Sequence, residues 1–295
     1  INEGDTAYTG ACYFLANDID CEGTQLNVIG DGNTSTSYFS GVFNGNDKTI
    51  SNYTMQTTDS AYVGFFGWVV ADSASSATSA IYNLTLENFS IDASAQEKSM
   101  FCGSLIGYSI GATISQCNAY NGTMQINGDD EFSNYAGGLI GLAQATYLQG
   151  TQNSYNACVA YCISDVNLIV NTGVVVAGGG LVGYAFSDHQ DAVAYIVNCY
   201  ATGDVEGAIR AGGLLGILGQ YTSVSSCYAT GDVQAKSTLK DEKYGDLRVA
   251  YAGGLVGYGE NNSVVADCFA VGKLTEKDFT EQGNGERASD KLVGS

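Results

Sequence analysis

One heptapeptide occurs twice without a change, 28 residues apart: Cys199-Tyr-Ala-Thr-Gly-Asp-Val205 and Cys227-Tyr-Ala-Thr-Gly-Asp-Val233. An exact repeat at that period restricts the fold to units that stack. Looser copies begin at Cys117, Cys158 and Cys268, giving cysteine spacings of 41, 41, 28 and 41. A second cassette interleaves with the first. Tyr135-Ala-Gly-Gly-Leu-Ile-Gly141 recurs as Tyr251-Ala-Gly-Gly-Leu-Val-Gly257, with relatives at Ala211–Gly216, Gly179–Gly183, Cys102–Gly107 and Val63–Gly67. Their closing glycines are 40, 34, 42, 33 and 41 residues apart.

The segments between these glycines are short, rich in β-branched and aromatic residues, and bounded by Gly, Asn, Asp and Ser, which is the pattern of strands. Helical periodicity is absent. Strand-type units at this period predict a β-solenoid in which each coil lies on the previous one. The 295 residues contain no proline, as a fold that needs every N–H for its ladder requires. The reading predicts inward columns of Leu139, Leu181, Leu214 and Leu255, and of Val205 and Val233. Close coil-to-coil approach is expected at the Gly-Gly pairs.

The Gly-Leu-x-Gly cores, the Cys-Tyr-Ala-Thr-Gly-Asp-Val strands and the opening series resemble the GLUG-repeat proteins. That opening series is Tyr13-Phe-Leu-Ala-Asn-Asp-Ile-Asp20, Val28-Ile-Gly-Asp31 and Phe39-Ser-Gly-Val-Phe-Asn-Gly-Asn-Asp-Lys-Thr-Ile-Ser-Asn52. These proteins are mostly large, secreted or surface-attached and microbial. The resemblance covers residues 8–274. It implies an all-β, right-handed parallel β-helix of about eight to ten coils, serving as an adhesin-like stalk, surface fibre or passenger module. Expected divisions are a lead-in and cap over 1–60, repeats over 61–274, and a charged tail or cap over 275–295. Long charged inserts (Lys236 to Arg248, and Lys273 onward) and the many cysteines depart from the family pattern.

Charge narrows the partners. Residues 1–209 carry 2 basic and 20 acidic side chains, a net of −18, and residues 210–295 carry 9 and 11, a net of −2. Such acidity disfavours nucleic acid and anionic lipid. The longest apolar run, Gly173 to Phe186, is too short for a spanning helix. The chain opens at Ile1 without a methionine and reads as a trimmed product. Expected partners are a second copy stacked end to end, or a surface ligand such as a glycan or protein. The expected location is extracellular or the cell surface.

Five cysteines, Cys117, Cys158, Cys199, Cys227 and Cys268, share a repeat position and are expected to form a buried ladder of small apolar groups. Cys12 and Cys21 flank the first strand and are the favoured disulfide; Cys102 and Cys162 are left over. Six sequons, at Asn33, Asn52, Asn83, Asn88, Asn121 and Asn261, are glycosylation candidates in a glycoprotein. Asp18, Asp20 and Glu22, and Asp129, Asp130 and Glu131, offer carboxylates to Ca²⁺ but match no known loop, so solvated acidic turns are the plainer reading and no cofactor is expected. The single histidine, His189, sits in a polar loop. Asp204 and Asp232 recur with the repeat, whereas a catalytic set should break it, so no enzyme is expected. The alternative is a carbohydrate-binding or polysaccharide-degrading β-helix, with Trp68, Tyr184 and Tyr258 as a sugar platform if they face outward in a line.

Overall fold

The computed structural model describes residues 10–32, 37–71, 79–129, 132–171, 175–235, 250–276 and 288–290. Among them there are strands and no helices. Apart from the antiparallel Asn153–Tyr155, the strands form three parallel sheets that run along a common axis. The chain is a parallel β-helix.

A broad sheet carries the long strands Val42–Thr57, Ala80–Ser94 and Thr113–Asn127, preceded by Cys12–Phe14 and Ile19–Asp20. In later coils the same path is broken into shorter pieces, ending with Val264–Ala266, Phe269–Ala270 and Leu274–Glu276. Two small sheets complete each coil. The first contains Tyr62–Val63, Met100–Gly103, Ser133–Gly137, Val175–Gly179, Arg210–Gly212, Tyr251–Gly253 and Ala288–Asp290. The second contains Phe66–Val70, Ile106–Ile110, Ile140–Leu148, Val182–Ser187, Leu215–Leu218 and Val256–Gly259. The broad sheet has eight levels, so seven spacings of ~4.8 Å give a stack about 34 Å tall. The segment expected as a charged tail or cap contributes Ala288–Asp290, which pairs with Tyr251–Gly253. The insert from Lys236 to Arg248 lies outside the described residues.

The register of the stack follows the cassette. Leu105, Leu139, Leu181, Leu214 and Leu255 are fully buried and joined level to level by backbone hydrogen bonds of 2.9–3.0 Å. Val205 pairs with Val233, and Val233 with Leu274. At the first coils the columns change character: Phe39, Phe43 and Phe66 fill the interior with rings 4.9–5.3 Å apart. Aromatic side chains thus close one end of a core that Leu, Val, Ala and Cys fill elsewhere.

The broad sheet curls because single residues leave the strand conformation. Asn83, Gln116, Tyr161, Asn198, Ser226 and Asp267 have φ of 52–57°, and they occupy one bend from coil to coil. Asn52, Asn88 and Asn121, with φ of 51–59°, make a second bend. Asparagine tolerates this left-handed region better than most side chains.

The two small sheets meet in another way. A Cβ on Gly183 would lie 2.5 Å from the Gly141 carbonyl and 2.8 Å from the Ala136 nitrogen. Gly141, Gly216 and Gly257 face backbone of the first small sheet in the same manner. The chain therefore doubles back on itself with backbone against backbone, and only hydrogen fits between the layers. Gly138, Gly180 and Gly213 form a further column in which a Cβ would meet the next coil's carbonyl at 2.1 Å. Neither neighbour can give way, because each belongs to a sheet. Gly183→Ala is expected to lower stability by about 1–3 kcal/mol or more in chemical denaturation. Gly150→Ala, where no heavy atom lies within 4 Å, should change it by less than about 0.5 kcal/mol.

Candidate functional site

Five cysteines do stack, but with one substitution. Ile163 pairs with Asn118 on one side and Tyr200 on the other, so the residue beside Cys117 and Cys199 is Cys162. Cys158 pairs instead with Thr113 and Tyr195 and is only partly buried. The column is therefore Cys117, Cys162, Cys199, Cys227 and Cys268, the last partly exposed. A local signal identifies it: each member follows a β-branched residue by three positions, as in Ile114-Ser-Gln-Cys117, Val159-Ala-Tyr-Cys162 and Ile196-Val-Asn-Cys199. The residue just before each cysteine is the left-handed one of the first bend.

That placement explains the choice of cysteine. A left-handed bend strands backbone groups that the ladder cannot reach. The Cys199 thiol donates to the carbonyls of Val159 and Val197 at 3.5 and 3.3 Å, and its sulfur accepts the Cys162 N–H at 3.4 Å. Cys227 repeats the arrangement with Ile196, Ser225 and the Cys199 N–H. Each thiol is thus a small apolar filler that also partners orphaned backbone groups. Burial pushes the Cys117 thiol up to about 12 and raises Cys199 well above the usual thiol range, while Cys227 is raised chiefly through its hydrogen bond to Cys199. These thiols are inert rather than nucleophilic.

Cys12 and Cys21 are free thiols, so the expected pairing is not formed. Cys12 sits beside Val42, whereas the Cys21 N–H reaches the Ser51 carbonyl, nine residues further along the same long strand. A disulfide needs its Cα atoms within about 7 Å. Cys102 is buried in the first small sheet beside Val63 and Ala136.

The aromatic residues are ordered in columns. Trp68, Tyr108, Leu142, Tyr184, Ile217 and Tyr258 occupy one position of the second small sheet. Tyr62, Phe101, Tyr135, Ala177, Arg210 and Tyr251 occupy one of the first. The two columns interlock: Tyr62 stacks on Trp68 at 5.7 Å, Phe101 on Tyr108 at 5.2 Å, and Arg210 lies 4.7 Å above the Tyr258 ring. On the broad sheet Tyr200, Tyr228 and Phe269 stack at 4.6 and 5.1 Å, within 7° of parallel. The rings stack on one another both within a coil and between coils. A sugar platform needs open ring faces, and those of Trp68 and Tyr184 are partly covered by Tyr62, Tyr108 and Phe186.

The sequons divide by geometry. Asn52, Asn88 and Asn121 are the second bend, and Thr54, Ser90 and Thr123, two residues later, form their own column. Three of the sequons thus coincide with a repeated turn. Asn88, Asn121 and Asn261 are exposed, Asn52 and Asn83 are partly buried, and Asn33 lies outside the described residues. The carboxylates are also occupied. Asp18 accepts the Thr49 N–H, and Asp20 accepts from Asn52 and the Glu22 N–H, each at 2.9 Å. The Asn52 hydrogen bond leads in holding Asp20 below the usual carboxylate range. Asp129 accepts the Glu97 N–H; Asp130 and Glu131 lie outside the described residues. Asp204 and Asp232 each accept the N–H of the aspartate or lysine one coil on, at 2.7 and 2.8 Å. Among the described residues no three His, Cys, Asp or Glu side chains converge on a possible metal position. His189 sits on an inserted loop, stacked 4.5 Å from Tyr147.

Residues 207–234 and 249–275 each match the family model described as the GLUG motif. The chain carries GLUG motifs. Each match runs through one strand of each small sheet and into the last strand of the following broad-sheet level, which makes one GLUG motif about one turn of this β-helix. The motif is found in extracellular and surface β-helical proteins, and its family is not a known enzyme family. No curated protein matches the chain significantly. No helix of the described residues is long and apolar enough to cross a membrane.

Two outcomes test this reading of the bends. A thiol held neutral in the fold contributes stability that is complete below the free-thiol value and is lost as pH rises. For Cys117 the loss should run from about pH 9 to about 12, at up to about 1.4 kcal/mol per pH unit. Unfolding free energies measured across that range should fall less steeply in Cys117→Ala than in the parent. Separately, Asn121→Ala should cost about 1–2 kcal/mol for its left-handed backbone, while Asn121→Gly should be close to neutral.

Proposed function

We propose that this chain is a non-catalytic structural element of the extracellular or cell-surface kind, an adhesin-like rod whose product is its shape. One observation carries the reading. The recurring side chains of the cassette are turned to core columns, bends and ladder capping, and none of the recurring polar groups converges on a reactive constellation. The inert thiols and the mutually stacked rings support it, as does the motif's occurrence in surface proteins.

The rod extends by adding coils. At its last broad-sheet level Val264, Phe269 and Val271 are 57%, 54% and 70% exposed, and among the described residues no strand pairs beyond them. The inward columns ending at Val265, Ala270 and Leu274 accept a further coil in register, and end-to-end stacking of a second copy supplies one. Negative-stain electron microscopy over a concentration series tests this. Narrow rods that lengthen with concentration, and that Phe269→Asp shortens to single units, are expected. Discrete units at every concentration would overturn the end-to-end element.

A further inference from the structure

The first and last levels of the broad sheet carry the same columns. Pairing runs unbroken from Tyr13 to Val265, and from Ile19 to Ala270. Both end faces are apolar. Phe14 and Ile19 on the first level are 63% and 43% exposed, as are Val264, Phe269 and Val271 on the last. Their sizes complement each other. Where the first level carries Tyr13, Phe14 and Ile19, the same columns end at Val265, Ala266 and Ala270. Bulky groups over small ones keep a stacked interior at native density.

Backbone polarity decides which faces meet. Every level-to-level contact of the broad sheet is parallel. The first level of one copy on the last level of another repeats that contact once more. Two first levels, or two last levels, reverse one set of strands and lose the column register.

Charge favours the same choice. Residues 10–32 carry Asp18, Asp20, Glu22 and Asp31 and no basic residue, so two first levels would set carboxylates against their own copies. The last level answers with a cation. In one outward column Asn167, Asp204 and Asp232 each accept the backbone N–H one coil on, at 3.0, 2.7 and 2.8 Å. Lys273 ends that series. Its side chain offers a further coil no acceptor and is exposed. The column begins at Gln25, which bridges to Thr54. Three residues before Gln25, Glu22 is exposed on a left-handed bend.

We infer that the first coil of a second copy docks on the last coil in column register, with the second copy's Glu22 facing Lys273. This rests on the end-to-end reading and adds the face, the register and the charge pair. The contact joins unlike surfaces, so it repeats along one axis without closing. Charge exchange tests it, read by negative-stain electron microscopy of the full chain over a concentration series at low salt. Glu22→Lys and Lys273→Glu, each alone, place like charges at the joint. Each should raise the concentration at which rods appear by at least about tenfold. An equimolar mixture of the two variants should return to the parent threshold, because each then meets its opposite in alternating rods. The double variant should do the same alone. Recovery also shows that the variants are folded, which circular dichroism checks independently. Parent rods with no shift in either single variant, or a mixture that stays as single units, would overturn this joint and leave end-to-end stacking standing. A parent that forms no rods would overturn both.

Discussion

Backbone pairing between coils is the constraint from which the remaining features follow. A parallel ladder along one axis fixes every side chain at the same lateral position as its counterpart one coil away, about 4.8 Å distant. Like must then tolerate like. Leucine on leucine, valine on valine and ring on ring satisfy that condition and add dispersion to the ladder. Aspartate on aspartate does not satisfy it unaided, and Asp204 and Asp232 each accept a backbone N–H from the coil above. The same constraint accounts for the close-packed glycines, since two sheets lying backbone to backbone leave no room for a Cβ.

The bends are the other half of the design. A flat ladder cannot close into a coil, so each level must leave the strand conformation at fixed places. Those places expose polar backbone groups to a dry interior. The column of cysteines is the local answer at the first bend from Gln116 onward, each thiol bonded to backbone groups there, as Cys199 is to the Val159 and Val197 carbonyls and the Cys162 amide; one level earlier Leu84 takes the place. A serine would be shorter and more polar at the same place, and an alanine would leave the backbone groups unpaired. The abundance of cysteine therefore reflects the geometry of turning rather than redox chemistry.

Much of this is legible in the sequence. The Gly-Leu-x-Gly period alone located the stacked leucines and the tight glycine edge, because small-sheet levels carry no insertions inside the cassette. The cysteine column differs from the expected one at one member, Cys162 in place of Cys158. Cys158-Val-Ala-Tyr imitates Cys199-Tyr-Ala-Thr in composition, and equal spacings of 41 made it attractive. An inserted hairpin, with Ile140–Leu148 against the antiparallel strand Asn153–Tyr155, shifts that coil, so spacing lost its meaning there. Position relative to the preceding β-branched residue was the reliable signal, because it is set by the bend and not by loop length. The Cys12–Cys21 pairing failed for a related reason: closeness in sequence says little when the intervening chain is extended.

Stacked cassettes make distance depend on coil number and not on the intervening sequence. Pulsed electron paramagnetic resonance between spin labels reads that dependence, in a background lacking Cys12 and Cys21. Ser223 shares one column with Thr113, Ala80 and Val42, three, four and five coils away. Labels on these pairs should give backbone separations near 14, 19 and 24 Å, rising by a constant ~4.8 Å per coil. Separations well beyond these values, or that scatter without a common increment, would contradict the stack and everything drawn from it.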